Sequence, residues 1–260
     1  MDCQPLGGAF ASWSHMKALG IDIGGSAIKG APVNTRTGKL LTERHRIEVH
    51  RNMTPAATAK VVAEIVRHFR WGGPIGVGFQ GVIEGTTIRT SANLHPRFVG
   101  CDGARLFGKA TGCRVAMIND AAAAGLAEMR FGAGRGFMGK ALLLTLGTGV
   151  GTCVAYQGVV VPLEFGHFPW KGGNDAEKYV SAAARERNNL SWEEWGWRLH
   201  EFIQELERLF WPELIIMGGG ASAKHEKFFP YLKTRARLVP ARFFNQAGIA
   251  GAAMWAVEAK

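Results

Sequence analysis

The chain runs to 260 residues, 47% of them hydrophobic and 20% charged, with a formal charge of +10 from 31 Lys and Arg against 21 Asp and Glu. That length suits one large core or two modest domains, the balance is too apolar for a disordered chain, and the positive excess suits an anionic partner. No apolar run is long enough to cross a bilayer, and the scattered Cys3, Cys101, Cys113 and Cys153 suggest neither a zinc knuckle nor a disulfide framework, so a protein of the reducing cytoplasm without a membrane partner is expected.

Residues 1–15 carry neither a basic start nor a sustained apolar stretch, so no secretory signal is read there and 1–17 are expected to form a tail. Strand-like stretches at 18–23, 27–33 and 40–49 are broken at Gly24-Gly25 and at Thr37-Gly38-Lys39, which predicts a three-stranded antiparallel meander. A helix is predicted from Thr54, with Pro55 at its first position and Val61, Val62, Ile65, Val66 and Phe69 on one face. It ends before Gly72-Gly73-Pro74. A strand at 75–79 leads into Gln80-Gly81, and after a long irregular stretch a strand at 114–118 delivers Asn119 and Asp120 at its end.

The plan then repeats. A helix at 121–129 precedes strands on either side of Leu146-Gly147-Thr148-Gly149-Val150-Gly151 and a third short strand at 159–161. Ser191-Trp192-Glu193-Glu194 is a capping box, and Trp192, Trp195, Leu199, Phe202, Ile203, Leu206 and Leu209 form the apolar stripe of the helix it opens. A strand at 213–217 runs into Gly218-Gly219-Gly220 and a helix from Ser222, and Asn245 caps an alanine-rich helix that runs to the C-terminus. The repetition predicts two related halves around a cleft. The expected division is a small N-terminal domain at 18–118, joined by the helix at 245–260, and a larger C-terminal domain at 119–244.

Two glycine turns, one in each half, place a hydroxyl residue among glycines between apolar runs, so that backbone N–H groups approach an anion closely. Neither fits the Walker A or the dinucleotide pattern. Alone, each is more often an ordinary hairpin than a phosphate site; together, each with its Ser or Thr, they point to phosphate held from two sides. Asp22 beside the first turn suits a magnesium ion or its water shell, or a turn cap. Asp120, at the carboxyl end of a strand, suits a base that takes the proton of an attacking hydroxyl, or a helix cap, with Asn119 beside it able to donate and accept. Glu164-Phe165-Gly166-His167 can aim two polar groups at one small polyol, or be a local surface pair; a metal pair is disfavoured because no further ligand stands at suitable spacing.

In order, Asp22-Ile-Gly-Gly-Ser26, Ile118-Asn-Asp120, Leu146-Gly-Thr-Gly149, Glu164-Phe-Gly-His167 and Gly218-Gly-Gly220 resemble the ROK family of sugar kinases, of the actin/hexokinase-like superfamily. Ser91-Ala-Asn93, the run Asn119 to Glu128, Asp175-Ala-Glu177 and the run Ala184 to Glu193 are similar to its polyphosphate glucokinase and glucomannokinase branch. The resemblance implies a two-domain α/β fold, of the ribonuclease H-like type, with duplicated strand-helix units. It implies Asp120 as general base on the 6-hydroxyl of glucose, with Asn93, Asn119, Gly149, Glu164, His167 and Glu177 on the sugar. Asp22 would assist Mg2+, through water. Gly24, Gly25, Ser26, Lys29, Thr148 and Gly149 would surround the transferring phosphoryl group, and Gly218, Gly219 and Gly220 the adenosine of ATP. A homodimer is implied as well.

The cysteine-rich zinc motif of many ROK proteins is missing, so no zinc is expected, and no winged-helix segment precedes residue 18, so no nucleic acid is expected either. Phe79-Gln80-Gly81 replaces a Phe-Pro-Gly, and Ser26 replaces a threonine while keeping its hydroxyl. The leading expectation is a glucokinase that uses polyphosphate and also ATP, with mannose as a further acceptor. The alternatives are an ATP-dependent hexokinase or fructokinase and a non-catalytic sugar-binding regulator. The net charge favours polyphosphate, with Lys171, Lys178, Arg185 and Arg187 as a basic track.

Overall fold

The computed structural model describes residues 17–50, 52–91 and 94–259, apart from the side chain of Asn245. The expected tail, the sugar contact at Asn93 and the cap formed by the Asn245 side chain lie outside the described residues. Two units divide the chain, one of residues 1–123 with 248–260 and one of residues 124–247.

In the first unit, β1 (Lys17–Ile23) and β2 (Ala27–Asn34) form a hairpin around the first glycine turn, and both β3 (Lys39–Leu40) and β4 (His45–Glu48) pair antiparallel with β2. The single strand expected at 40–49 is thus two short ones, interrupted by the polar run Thr42-Glu43-Arg44. Helix α1 (Pro55–His68) is capped by Thr54, whose Oγ1 accepts the N–H of Ala57. Next come β5 (Ile75–Phe79), the small hairpin of β6 (Ile83–Glu84) and β7 (Thr87–Ile88), α2 (Gly103–Thr111) and β8 (Val115–Asn119). Helix α2 falls in the stretch expected to be irregular, although Asp102 accepts the N–H of Arg105 at its start and Gly112 ends it in the left-handed conformation. The sheet order is β3-β2-β1-β5-β8, with β1, β5 and β8 parallel.

Alternation along β1 splits its residues between two faces. Leu19, Ile21 and Ile23 pack with Val62, Ile65, Val77, Phe79, Phe98 and Phe107. Ala18 packs on the other face with Ile249, Ala253 and Ala256 of α7 (Ala247–Glu258). That helix lies against the strands so closely that a Cβ on Gly20 or Gly76 would come within 1.9 Å of the Ile249 carbonyl oxygen or 1.7 Å of that of Ala252. Asp22 shares this face, and Gly248 in the first turn of α7 lies beside its carboxylate.

Helix α3 (Asp120–Phe131) carries the chain from one unit to the other. The second unit repeats the order of the first. Strands β9 (Ala141–Leu146), β10 (Val150–Tyr156) and β11 (Val159–Leu163) form an antiparallel meander, and after the two-residue β12 (Pro169–Trp170) and β13 (Asn174–Asp175) come α4 (Glu177–Val180), α5 (Ala182–Arg187) and α6 (Trp192–Phe210). Strands β14 (Leu214–Gly218) and β15 (Arg237–Pro240) extend the sheet in parallel on the far side of β9, giving the order β11-β10-β9-β14-β15. The segment after Ser222 is not the α-helix expected: residues Gly220–Lys227 are 3-10 turns with a kink at Lys224.

Ser191 and Glu194 close the capping box on α6. Trp195, Leu199, Phe202, Ile203 and Leu206 are fully or almost fully buried against Leu142, Leu144, Ile215 and Met217, while Trp192 packs at the edge and Leu209 is exposed. Each such Leu or Phe contributes about 1.5–3 kcal/mol of burial free energy. Buried Glu128 of α3 accepts backbone N–H groups from Ala133, Arg242 and Phe243 at 2.8, 2.8 and 2.7 Å, which gives that carboxylate a structural task.

Candidate active site

Each glycine turn joins two antiparallel strands and closes through a backbone hydrogen bond. In the first, Asp22 stands opposite Lys29 in the β1–β2 register, and the N–H of Gly24 closes the turn onto the Ala27 carbonyl at 3.1 Å. In the second, the N–H of Gly147 closes onto the Gly149 carbonyl at 3.1 Å. Among the described residues the amides of Gly25, Ser26, Thr148 and Gly149 find no backbone acceptor. Each turn therefore presents N–H groups and a hydroxyl side chain that an anion can take up.

The Asp22 carboxylate lies 3.6 Å from Lys29 Nζ. Burial raises its pKa above the ordinary aspartate value, against the opposing pull of Lys29 and then Arg44. A carboxylate removed from water by burial, next to open phosphate-binding amides, fits a hydrated divalent cation. Gln80, unforeseen as a site residue, lies near Gly24, and its Oε1 is buried without a partner among the described residues. Such an acceptor costs about 1–3 kcal/mol until a donor reaches it.

Asn119 and Asp120 sit where β8 meets α3. Asn119 is buried; its Nδ2 donates to the Gly81 carbonyl at 3.1 Å and its Oδ1 accepts the Ala122 N–H at 3.0 Å. It therefore caps α3 and ties down the loop of Phe79-Gln80-Gly81. Asp120 is the first residue of α3, and its Oδ1 accepts the N–H of Ala121 at 2.8 Å.

In the second unit the Glu164–His167 turn is held by its glycine: a Cβ on Gly166 would stand 2.3 Å from the Val150 carbonyl oxygen. Glu164 and His167 face one another with Nε2 3.8 Å from Oε2. Burial raises the pKa of Glu164, with His167 opposing and Glu177 adding to the rise. The pairing of β12 with β13 brings Asp175 to His167, Oδ2 to Nδ1 at 3.1 Å. Glu177 Oε2 accepts the N–H of Val150 at 3.2 Å, which ties this cluster to the strand leaving the second glycine turn.

His167, Asp175 and Glu177 thus offer three ligand atoms within 4.8 Å of one another. Folding brings to His167 two carboxylates that lie eight and ten residues further along the chain. A cluster of acceptors around one imidazole suits either a cation or several hydroxyls of one polyol. Gly219, at φ +77°, abuts Leu146: a Cβ there would lie 2.5 Å from its backbone N and O. The third glycine turn is therefore a neighbour of the second.

The ROK family profile matches residues 18–178. Polyphosphate glucokinase of Mycobacterium tuberculosis is 41% identical over 241 residues, covering 92% of this chain and 91% of that protein. The same-named protein of Mycobacterium leprae is 37% identical over 243 residues, 93% of this chain and 75% of its own length. The crystal structure of inorganic polyphosphate/ATP-glucomannokinase from Arthrobacter sp. strain KM superposes with a TM-score of 0.90 at 41% identity, over 94% of this chain and 99% of that one. A ROK family glucokinase from Streptomyces griseus, solved with glucose and AMPPNP, has the same fold at a TM-score of 0.78 and 22% identity, over 93% of this chain and 99% of that one.

Proposed function

The chain belongs to the ROK family, and from that premise we propose that it is a glucokinase transferring the terminal phosphoryl group of inorganic polyphosphate, and of ATP, to the 6-hydroxyl of glucose. The observation that carries the reading is the company the second glycine turn keeps. It is joined through Val150 to Glu177 and so to the acceptor cluster of Glu164, His167 and Asp175, in a chain 41% identical to a polyphosphate glucokinase. Phosphate-binding amides and polyol-binding side chains share one supporting strand.

In this reading Asp120 takes the proton of the sugar 6-hydroxyl as the oxygen attacks the terminal phosphorus and the rest of the donor leaves. Glu164, His167 and Glu177 hold other hydroxyls, with Gly149 close by. Asn119 works by placing Asp120 and the loop after β5. Asn93 keeps its proposed sugar contact. The amides of Gly24, Gly25, Ser26, Thr148 and Gly149, with Lys29, hold the phosphates, and Gly218, Gly219 and Gly220 the adenosine of ATP. Asp22 would hold Mg2+ through its water shell; the ion supplies charge neutralisation on the phosphates. Fixed donors aimed at the developing charge perform most of the catalysis.

Mannose is proposed as a further acceptor, since the similar solved protein is a glucomannokinase. The reading also carries a homodimer in the cytoplasm, which light scattering and cell fractionation test. The deciding experiment crosses glucose, mannose and fructose with ATP, GTP and polyphosphates of several lengths, with Mg2+ present. Glucose 6-phosphate formed from polyphosphate is the expected result. Activity with ATP alone would overturn the donor assignment, and no transfer to any sugar would overturn the kinase.

A further inference from the structure

The basic residues nominated from the sequence part company in the structure. Lys171 Nζ lies 2.7 Å from Glu201 Oε2 and 3.4 Å from the Tyr179 hydroxyl, so its charge is answered within the protein. Arg187 turns its Nη2 to the Lys178 carbonyl at 2.9 Å. Arg185 is placed differently, and two lysines remote from it in sequence join it.

The Arg185 guanidinium lies 3.8 Å from the centre of the Trp192 ring, and the ammonium groups of Lys224 and Lys227 lie 5.9 and 5.8 Å from that same centre. The indole is fixed from beneath. It stacks near Phe228 at 17° and meets Trp195 edge to face, and both partners are fully buried. Among the described residues none of the three cations makes an ion pair. Like charges gathered around one ring repel each other, and the Arg185 Nε is buried with no partner among the described residues. Cation–π attraction holds the group together but leaves its net charge unanswered.

Both arms of the cluster grow from the phosphate-handling turns. The N–H of Ala183, in the first turn of α5, donates to the Gly147 carbonyl at 3.1 Å, and Arg185 follows in the same helix. Lys224 and Lys227 sit on the 3-10 segment that begins at Gly220, in the third glycine turn. Resting on the donor reading above, we propose that Arg185, Lys224 and Lys227 around Trp192 form a seat for the distal phosphates of a polyphosphate chain, beyond the phosphate being transferred. A guanidinium offers a planar fork that suits two phosphate oxygens, while the lysines act as point charges along the chain. The indole is already engaged by Phe228, Trp195 and Arg185, so the cluster offers charge rather than a stacking platform for bases.

The test compares wild type with Lys224→Gln/Lys227→Gln and with Arg185→Gln/Lys224→Gln/Lys227→Gln. Steady-state kinetics are measured with ATP, tripolyphosphate and long-chain polyphosphate, and equilibrium binding of long-chain polyphosphate is measured without glucose. Loss of charge-assisted contacts should raise the long-chain KM about tenfold in the triple variant and about threefold in the double, with ATP, tripolyphosphate and glucose changed less than about twofold. The double variant alters only exposed lysines, so it stands if the triple one fails to fold. An unchanged long-chain KM, or equal losses with ATP, would overturn the seat while leaving the kinase reading intact. If wild type uses ATP but no polyphosphate, the donor reading falls and the binding arm decides alone. Salt-sensitive long-chain binding that the variants lose would then uphold the seat, and binding they retain would overturn it. Equal affinity for a single-stranded oligonucleotide of matching charge would overturn the assignment to polyphosphate.

Discussion

Asp175 Oδ2 and His167 Nδ1 lie 3.1 Å apart, eight residues from each other in the chain and brought together by the pairing of β12 with β13. A carboxylate at Nδ1 takes that ring N–H and leaves the Nε2 lone pair on the side of Glu164, which suits acceptance of a sugar hydroxyl. Asp175 is thus a positioning residue. Asp175→Ala should raise the glucose KM about tenfold, the worth of one charged hydrogen bond, with kcat nearly unchanged. Asp175→Asn, which keeps an acceptor oxygen, should recover part of that loss, and an equal fall in kcat in both variants would point to a general structural role.

Asp120 carries the chemical step in the proposed mechanism, and Asn119 rather than Asp120 caps α3. Asp120→Ala should therefore lower kcat by about 10²- to 10⁴-fold, the usual contribution of a general base. Glucose affinity by calorimetry should stay close to wild type. Undiminished turnover would remove Asp120 from the reaction.

Asp22 sets stability against function. Its folded pKa is raised by burial, so the folded state favours the protonated form. The stability this confers is fully present below the unfolded value of 3.8 and is lost as pH rises through the folded one. Above its folded pKa the ionised carboxylate is a net burden on the fold. Asp22→Asn should therefore melt higher than wild type at pH 7.5, with the gap closing towards pH 4, while phosphoryl transfer falls. Melting curves across that range check the sign, and a lower melting temperature at pH 7.5 would contradict it.

Gly166 packs on β10, with the Val150 carbonyl oxygen 2.3 Å from where a Cβ would sit. Gly166→Ala must push the Glu164–His167 turn away from that strand, at a cost of about 1–3 kcal/mol. A lower melting temperature together with a raised glucose KM is expected. Lost stability with an unaltered KM would separate the turn from sugar binding.

Glu128 satisfies three backbone N–H groups and is fully buried. Glu128→Ala leaves them without acceptors and should cost about 3 kcal/mol or more. Denaturant titration should show the loss with glucose present or absent, since Glu128 holds up the fold rather than the substrate.

Features carried by neighbours in sequence were legible from the chain alone. Thr54 with Pro55, the Ser191 capping box, the α6 stripe and both glycine hairpins each rest on turn chemistry or on a 3.6- or two-residue period, and so did the order of motifs from Asp22 to Gly220. Helix α2 was signalled too, by Asp102 and Gly112, but its nine residues were lost among the surrounding glycines. Short strands such as β15, and the 3-10 form of the segment after Gly220, draw their shape from neighbours in the sheet and left little mark on composition. What tertiary structure decided was approach. It brought Asp175 to His167, Glu177 to the second glycine turn, Gly219 against Leu146, and Lys224 and Lys227 to the ring that Arg185 already covers. Those meetings depend on strand register and side-chain packing between distant segments. The sequence therefore determined which kinds of group the protein carries, while the fold decided which of them act together.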